Sequence, residues 1–258
     1  MAYLIDSHTH LHDREFFTEA QATAMLANAH RLGVEQLICI GTNVTDSQAA
    51  LRFAEANNGV FCSYGVHPEF AAQAAAPFTV TPSDKLVCIG EVGLDYHYPD
   101  YDKSSQWQLL EEMLQLAVEL ELPCSFHVRE ALPDFFSLVA NFPKLKPSVL
   151  HSFSDSPESL ALALDKGFYI GVNGLATFAH LDCYKNLTAD FLDRALLETD
   201  APFLTPVPKR GIINEPGYVK YVADYLAKKL GVSPDLVAEK TTHNVRQIFH
   251  LPDPGRSE

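Results

Sequence analysis

Leu4-Ile5-Asp6-Ser7-His8-Thr9-His10 is a short apolar run that opens into two histidines two positions apart. In an extended chain, period two puts both imidazoles on one face, so one ion can bind both. Asp6 shares that face one pleat deeper, where it is better placed to support a ligand than to be one. Five later apolar runs end the same way. Residues 60–64 lead to His67, 86–90 to Glu91, 123–126 to His127, 148–150 to His151, and 195–197 to Glu198-Thr199-Asp200. If these runs are parallel strands, one end of the sheet collects, from six strand ends, residues of the types that bind metals.

The rest of the chain supplies the helices such a sheet needs. Residues 18–32 read as a helix capped by Thr18 and ended by Gly33. Residues 46–56 read as a helix opened by Asp46, and 104–120 as a long amphipathic helix with apolar positions at helical spacing. Further helices are expected at 132–140, 156–164, 188–194, 216–230 and 233–249, and further strands at 36–41 and 168–172. Residues 69–84, rich in Ala and Pro, show no clean helical period. Eight continuous apolar strands alternating with helices imply a parallel sheet covered on both faces. That count, in about 250 residues, matches an α/β (β/α)8 TIM barrel. An open doubly wound sheet is the other arrangement considered, but no G-x-G-x-x-G follows the first strand. No repeat or low-complexity linker divides residues 1–258, so one domain is expected.

Composition narrows the function. The five cysteines form no C-x-x-C pair, and four lie in apolar runs, as buried thiols of a reduced cytoplasmic protein would. No apolar stretch approaches the length of a membrane span, and no signal peptide precedes the first strand-like run. The net charge is −14, whereas proteins that coat nucleic acid are usually basic. A broad grip on duplex DNA is therefore not expected. Action on a single phosphodiester is compatible with this charge, because bound cations would supply positive charge locally.

Each candidate residue has a role suited to its chemistry. His8 and His10 suit a first ion, and Asp200 suits the same ion while also taking a proton from attacking water. Glu91 has two oxygens and can bridge two ions. His127 and His151 suit the second ion. Four imidazoles and two carboxylates favour Zn2+ or Mn2+ over Mg2+, although all three remain candidates. Asp95 and Tyr96 either line the pocket or make a turn. His67 is a substrate contact, and Arg129, Arg210 and Lys209 are candidates to steady a phosphate. His12, His30, His97, His180, His243 and His250 carry no comparable signal.

Taken together and in order, the motifs resemble those of the TatD family of metal-dependent deoxyribonucleases, within the amidohydrolase-like barrels. Asp6-Ser7-His8-Thr9-His10 resembles its D-x-H-x-H, Gly65-Val66-His67-Pro68 its G-x-H-P, and Gly90-Glu91-Val92-Gly93-Leu94-Asp95-Tyr96 its G-E-x-G-L-D-Y. His127-Val128-Arg129-Glu130-Ala131 is similar to its H-x-R-x-A. Leu197-Glu198-Thr199-Asp200-Ala201-Pro202 is similar to its L-E-T-D-x-P, and Arg210-Gly211-Ile212-Ile213-Asn214-Glu215-Pro216 to its R-G-x-x-N-x-P. The resemblance implies one ion among His8, His10, Glu91 and Asp200, a second among Glu91, His127 and His151, and cleavage of DNA, often from an end. Two departures stand out. Glu69 occupies the place of a frequent His, and His151-Ser152-Phe153-Ser154-Asp155 replaces H-C-F-[ST]-G. Both put acid near the mouth, where it would repel a polyanion. The alternative is a hydrolase of a small amide, lactone or phosphoester on the same barrel. No membrane or obligate protein partner is expected.

Overall fold

The structure, a computed structural model, describes residues 2–74 and 76–254. Its strands are β1 (Leu4–Thr9), β2 (Val34–Cys39), β3 (Val60–Tyr64), β4 (Leu86–Asp95), β5 (Cys124–Arg129), β6 (Val149–Leu150), β7 (Tyr169–Val172) and β8 (Ala195–Leu197). The helices are α1 (Glu19–Arg31), α2 (Val44–Ala56), α3 (Lys103–Leu120), α4 (Leu132–Val139), α5 (Pro157–Asp165), α6 (Leu175–Phe178), α7 (Val219–Leu230) and α8 (Pro234–Phe249). The strands form one sheet in chain order, and every neighbouring pair is parallel. The expected (β/α)8 barrel is the fold.

The sheet comes round on itself through the backbone just beyond β8. Asp200 N–H donates to His8 O at 2.9 Å, and His10 N–H donates to Ala201 O at 2.8 Å. Thr9 and Ala201 form a parallel bridge there. Strand pleating divides the apolar residues into two layers. Ile5, Ile38, Ile40, Phe61, Val149 and Leu196 pack together with Val245, Ile248 and Phe249 of α8. Leu4, Leu37, Cys39 and Cys62 instead join the larger layer shared with the other helices. All five cysteines are free and buried. Among the described residues, no helix is long and apolar enough to cross a membrane.

Several boundaries differ from expectation. β4 runs on to Asp95 and β5 to Arg129, so Glu91 and His127 lie within strands rather than after them. The β4–β5 register slips between Ile89 and Val92, an irregularity that can re-aim a side chain while pairing continues. α2 begins at Val44 because Asn43 caps it, accepting from Asp46 N–H at 3.0 Å. Asp46 uses its carboxylate on Thr42 and His12 instead. Within 69–84, a 3-10 helix spans Pro68–Gln73, and residue 75 lies outside the described residues. The expected helix at 188–194 is a 3-10 turn, Ala189–Asp193, and α6 was not expected.

Asp6 ties β1 to the segment after β8. One oxygen accepts from Thr199 N–H at 2.8 Å and the other from Thr199 Oγ1 at 2.6 Å, while Ala201 N–H donates to Thr199 Oγ1 at 3.2 Å. Asp6 is fully buried, and that burial pushes its carboxyl well above the usual range. Thr199→Val leaves a buried acceptor and a buried N–H without partners. It is expected to cost about 1–3 kcal/mol of stability, read as a lower thermal midpoint. An unchanged midpoint would show that the tether carries no stability.

Candidate metal centre

The strand ends converge as the sequence suggested. β1 delivers His8 from its last turn of pleat and His10 just beyond it. β4 delivers Glu91, β5 His127, the residue after β6 His151, and the turn after β8 Asp200. Asp200 adopts a left-handed backbone, φ 56°, a conformation that Asp tolerates better than most residues.

Glu91 stands at the centre. Its Oε2 lies 3.5 Å from His8 Nε2. Its Oε1 lies 2.8 Å from His127 Nδ1 and 3.3 Å from His151 Nε2. The two oxygens therefore address two different sets of rings. On the Oε2 side, Asp200 Oδ1 is 3.6 Å from His8 Nε2 and 3.4 Å from His10 Nε2. His8 is fully buried, and its Nε2 has no hydrogen-bond partner among the described residues. A buried polar atom left without a partner is costly unless something binds it. Ligand atoms of His8, His10 and Glu91 all lie within 4.8 Å of one another, as do those of His67, Glu91 and His127. A borderline divalent cation fits this set of nitrogens and oxygens.

Outer acceptors fix the rings. His10 Nδ1 donates to Ile40 O at 3.0 Å, which turns Nε2 towards Asp200. Glu198 Oε1 accepts from His151 Nδ1 at 3.1 Å, and also from Ser152 N–H at 2.7 Å and Asn173 Nδ2 at 3.3 Å. That leaves His151 Nε2 facing Glu91. Asp95 Oδ2 pairs with His127 Nε2 at 2.9 Å. Two glycines make room. A Cβ on Gly171 would collide with the Glu198 carboxylate, and one on Gly93, φ 155°, with the backbone carbonyl of His127. The rings of His8 and His151 stack with centroids 3.7 Å apart.

Electrostatics follow from this crowding. Burial opposes charge on Glu91 and Asp200, but the surrounding imidazoles outweigh it and hold both carboxyls down, Glu91 well below the usual range. Burial likewise opposes charge on His127, yet Asp95 and Glu91 lift it to about 9. Burial and the neighbouring His127 push His67 down to about 3.

The candidate substrate contacts separate. His67 accepts from Glu69 N–H through Nδ1 at 3.2 Å, so the neutral ring carries its proton on Nε2, which sits 3.9 Å from Glu91 Oε1. It is a donor into the site. Arg129 is exposed over the ring of Tyr98, and its charge helps lower Asp95. Tyr96 and Arg210 make their contacts elsewhere. The Tyr96 hydroxyl donates to Asp134 at 3.0 Å, and its ring stacks on Tyr101. The Arg210 guanidinium lies 3.8 Å over Phe178 and donates to Thr205 O at 3.0 Å, which holds the loop after β8. Lys209 lies over Tyr218 and Tyr221. Sequence reasoning gave no role to Glu198, although it is an acid directly after an apolar strand, the signal that marked Glu91.

A family model described as TatD related DNase matches residues 5–250. An "uncharacterized metal-dependent hydrolase" of Buchnera aphidicola is 32% identical over 97% of both chains. A Salmonella typhimurium protein named "3'-5' ssDNA/RNA exonuclease TatD" is 30% identical, covering 88% of this chain and 92% of its own. Among solved structures, the TatD homologue YjjV of Escherichia coli K12 superposes with a TM-score of 0.84 at 26% identity, covering 97% of this chain and 99% of its own.

Two outcomes are expected of the centre. Glu198→Gln weakens the hold on the His151 ring and lowers cation affinity about 10–100-fold, measured by titration with Zn2+ or Mn2+. Unaltered affinity would remove Glu198 from the support of the site. A cation must also displace the proton that His127 holds below pH 9. Apparent affinity should therefore rise with pH up to about 9. A flat profile would show that no proton competes there.

Proposed function

From the premise that this chain belongs to the TatD related DNase family and is a metal-dependent hydrolase, we propose that it hydrolyses phosphodiester bonds of single-stranded nucleic acid from an end. We further propose that two divalent cations occupy the centre. His8, His10, Glu91 and Asp200 would hold one, and Glu91, His127 and His151 the other. Residues 1–258 would work as one catalytic domain, since these groups come from the strands of a single eight-stranded sheet or from the residues that follow them. Five buried free thiols suit a reducing compartment, the cytoplasm. The observation that carries the reading is Glu91, whose two oxygens face different imidazole sets, beside the unpartnered His8 Nε2.

When bound, divalent cations supply Lewis-acid charge that offsets the phosphate and acidifies water. The chain's own groups do the rest. Asp200 is held as a carboxylate and accepts a proton from the attacking water. The water oxygen bonds to phosphorus, the opposite P–O bond breaks, and the leaving oxygen keeps the electron pair and takes up a proton. The products are one alcohol and one phosphate monoester. His67, whose Nε2 faces Glu91, and Arg129, whose charge reaches Asp95, would donate to phosphate oxygens. Glu198 and Asp95 keep His151 and His127 turned inwards. The nucleic-acid choice draws on the name of the Salmonella relative. Acidic Glu69 at the mouth favours a second reading, a small ester, lactone or amide substrate on the same centre.

Metal analysis with an assay on defined single strands, with and without chelator, tests the reading. Digestion should stop on chelation and return with added Zn2+ or Mn2+. Full activity in chelator would contradict it, and turnover of lactones or small esters alone would favour the second reading. Asp200→Asn should lower kcat about 10^2–10^4-fold in a protein that still folds. A loss below tenfold would take the base role from Asp200.

A further inference from the structure

Beside the candidate centre, a cavity of about 260 Å3 opens between the 3-10 helix Pro68–Gln73 and the segment linking β4 to α3. It begins at two groups of the centre itself, His67 and Asp95. Clefts that enclose whole small ligands usually run from about 300 to 1,000 Å3, so this one is small, on the scale of one end group of a substrate. Its outer wall carries Tyr98 and Tyr101, which are 59% and 40% exposed. Exposed rings of this kind offer a stacking face to a base or another flat group.

The charge of the wall is one-sided. Glu69, Asp95, Asp100 and Asp102 all line the cavity, and no Lys or Arg lines it among the described residues. Glu69 lies beside His67, with Oε1 3.9 Å from His67 Nδ1. Asp102 is engaged as the cap of α3, accepting from Ser105 N–H at 3.1 Å, and Asp95 is engaged by His127. Among the described residues Glu69 makes no comparable pairing, and its side chain is 61% exposed. The cations close by are Arg129, over Tyr98, and Lys103, which is paired with Asp134 at 2.5 Å. They leave the wall negative.

Building on the phosphodiesterase reading, we propose that this cavity is the pocket for the terminal residue of the substrate, and that Glu69 and Asp100 make it select an uncharged or cationic terminus over one bearing a second phosphate. The scissile phosphate sits at the centre. The group beyond it stacks on Tyr98 or Tyr101 and faces carboxylates. A further phosphate at that position meets like charge, so cleavage is confined to the last bond of a strand with a free hydroxyl end. Small diesters with a neutral or amine-bearing group enter by the same route. Glu69 is then the residue that converts the acidic mouth from an obstacle into a selector.

The test uses the cation-loaded full chain and four otherwise identical short single strands. These carry either a hydroxyl or a phosphate, at the 5′ or the 3′ terminus. At the end that the enzyme attacks, wild type should favour the hydroxyl strand about fivefold to tenfold in kcat/KM, the scale of one like-charge contact screened by bulk water, with the difference mainly in KM. E69Q with D100N should bring the ratio towards one, and E69K should invert it. Rejection carried by KM in wild type and relieved in both variants supports the pocket. Turnover with no discrimination in wild type, or with the same ratio in every variant, overturns it while leaving the phosphodiesterase reading intact. Absence of turnover on any phosphodiester, with retained turnover of another ester, overturns both.

Discussion

Everything at the mouth of this barrel depends on one carboxylate with two faces. Glu91 presents Oε2 to His8 and Oε1 to His127 and His151, within an almost fully buried cluster. Without it, neighbouring imidazoles would crowd a low-dielectric space with nothing to balance the positive charge they carry when protonated or metal-bound. Its position is a property of the sheet. β4 slips register against β5 around Glu91, and glycines at 90 and 93 let the two strands approach where a Cβ would collide. Asp6 and Thr199 separately join β1 to the segment beyond β8. The turn that closes the barrel is therefore also the turn that delivers Asp200.

A second layer of acceptors makes the first precise. Ile40 O, Glu198 and Asp95 each engage one ring nitrogen of His10, His151 and His127. The opposite nitrogen of each ring then faces the centre. Chemistry and stability consequently share residues. The groups that orient ligands also satisfy buried hydrogen bonds, which is why Glu198, Asn173 and Ser152 form one connected network beneath His151.

The barrel was legible because most strands carry a short apolar run, and the barrel packs both faces of its strands. The residues that converge on Glu91 were legible for the same reason, since a polar residue directly after such a run has nowhere to go except the sheet's end. What escaped notice follows from the limits of that rule. β4 and β5 continue past their apolar runs into Glu91, Asp95 and His127, because polar side chains there face the site and not solvent. Asn43 outcompeted Asp46 as the cap of α2 because Asp46 is held by Thr42 and His12, a long-range partner that local sequence does not show. Tyr96 and Arg210 carry the right chemistry for substrate, and in the fold Tyr96 also bonds Asp134 while Arg210 packs over Phe178. Only the folded contacts decide between such uses.

The acidity of the chain also becomes specific once placed. Charge that appears as a bulk property in the composition concentrates, near the centre, on the wall formed by Glu69, Asp100 and Asp102. The central claim is that Glu91 joins two cation positions into one site. The most direct test counts bound divalent ions per chain by mass spectrometry of the native protein, comparing wild type with Glu91→Gln. The account predicts two ions in wild type and loss of both at matched free metal, with the fold retained. A folded Glu91→Gln protein that still holds two ions would contradict it.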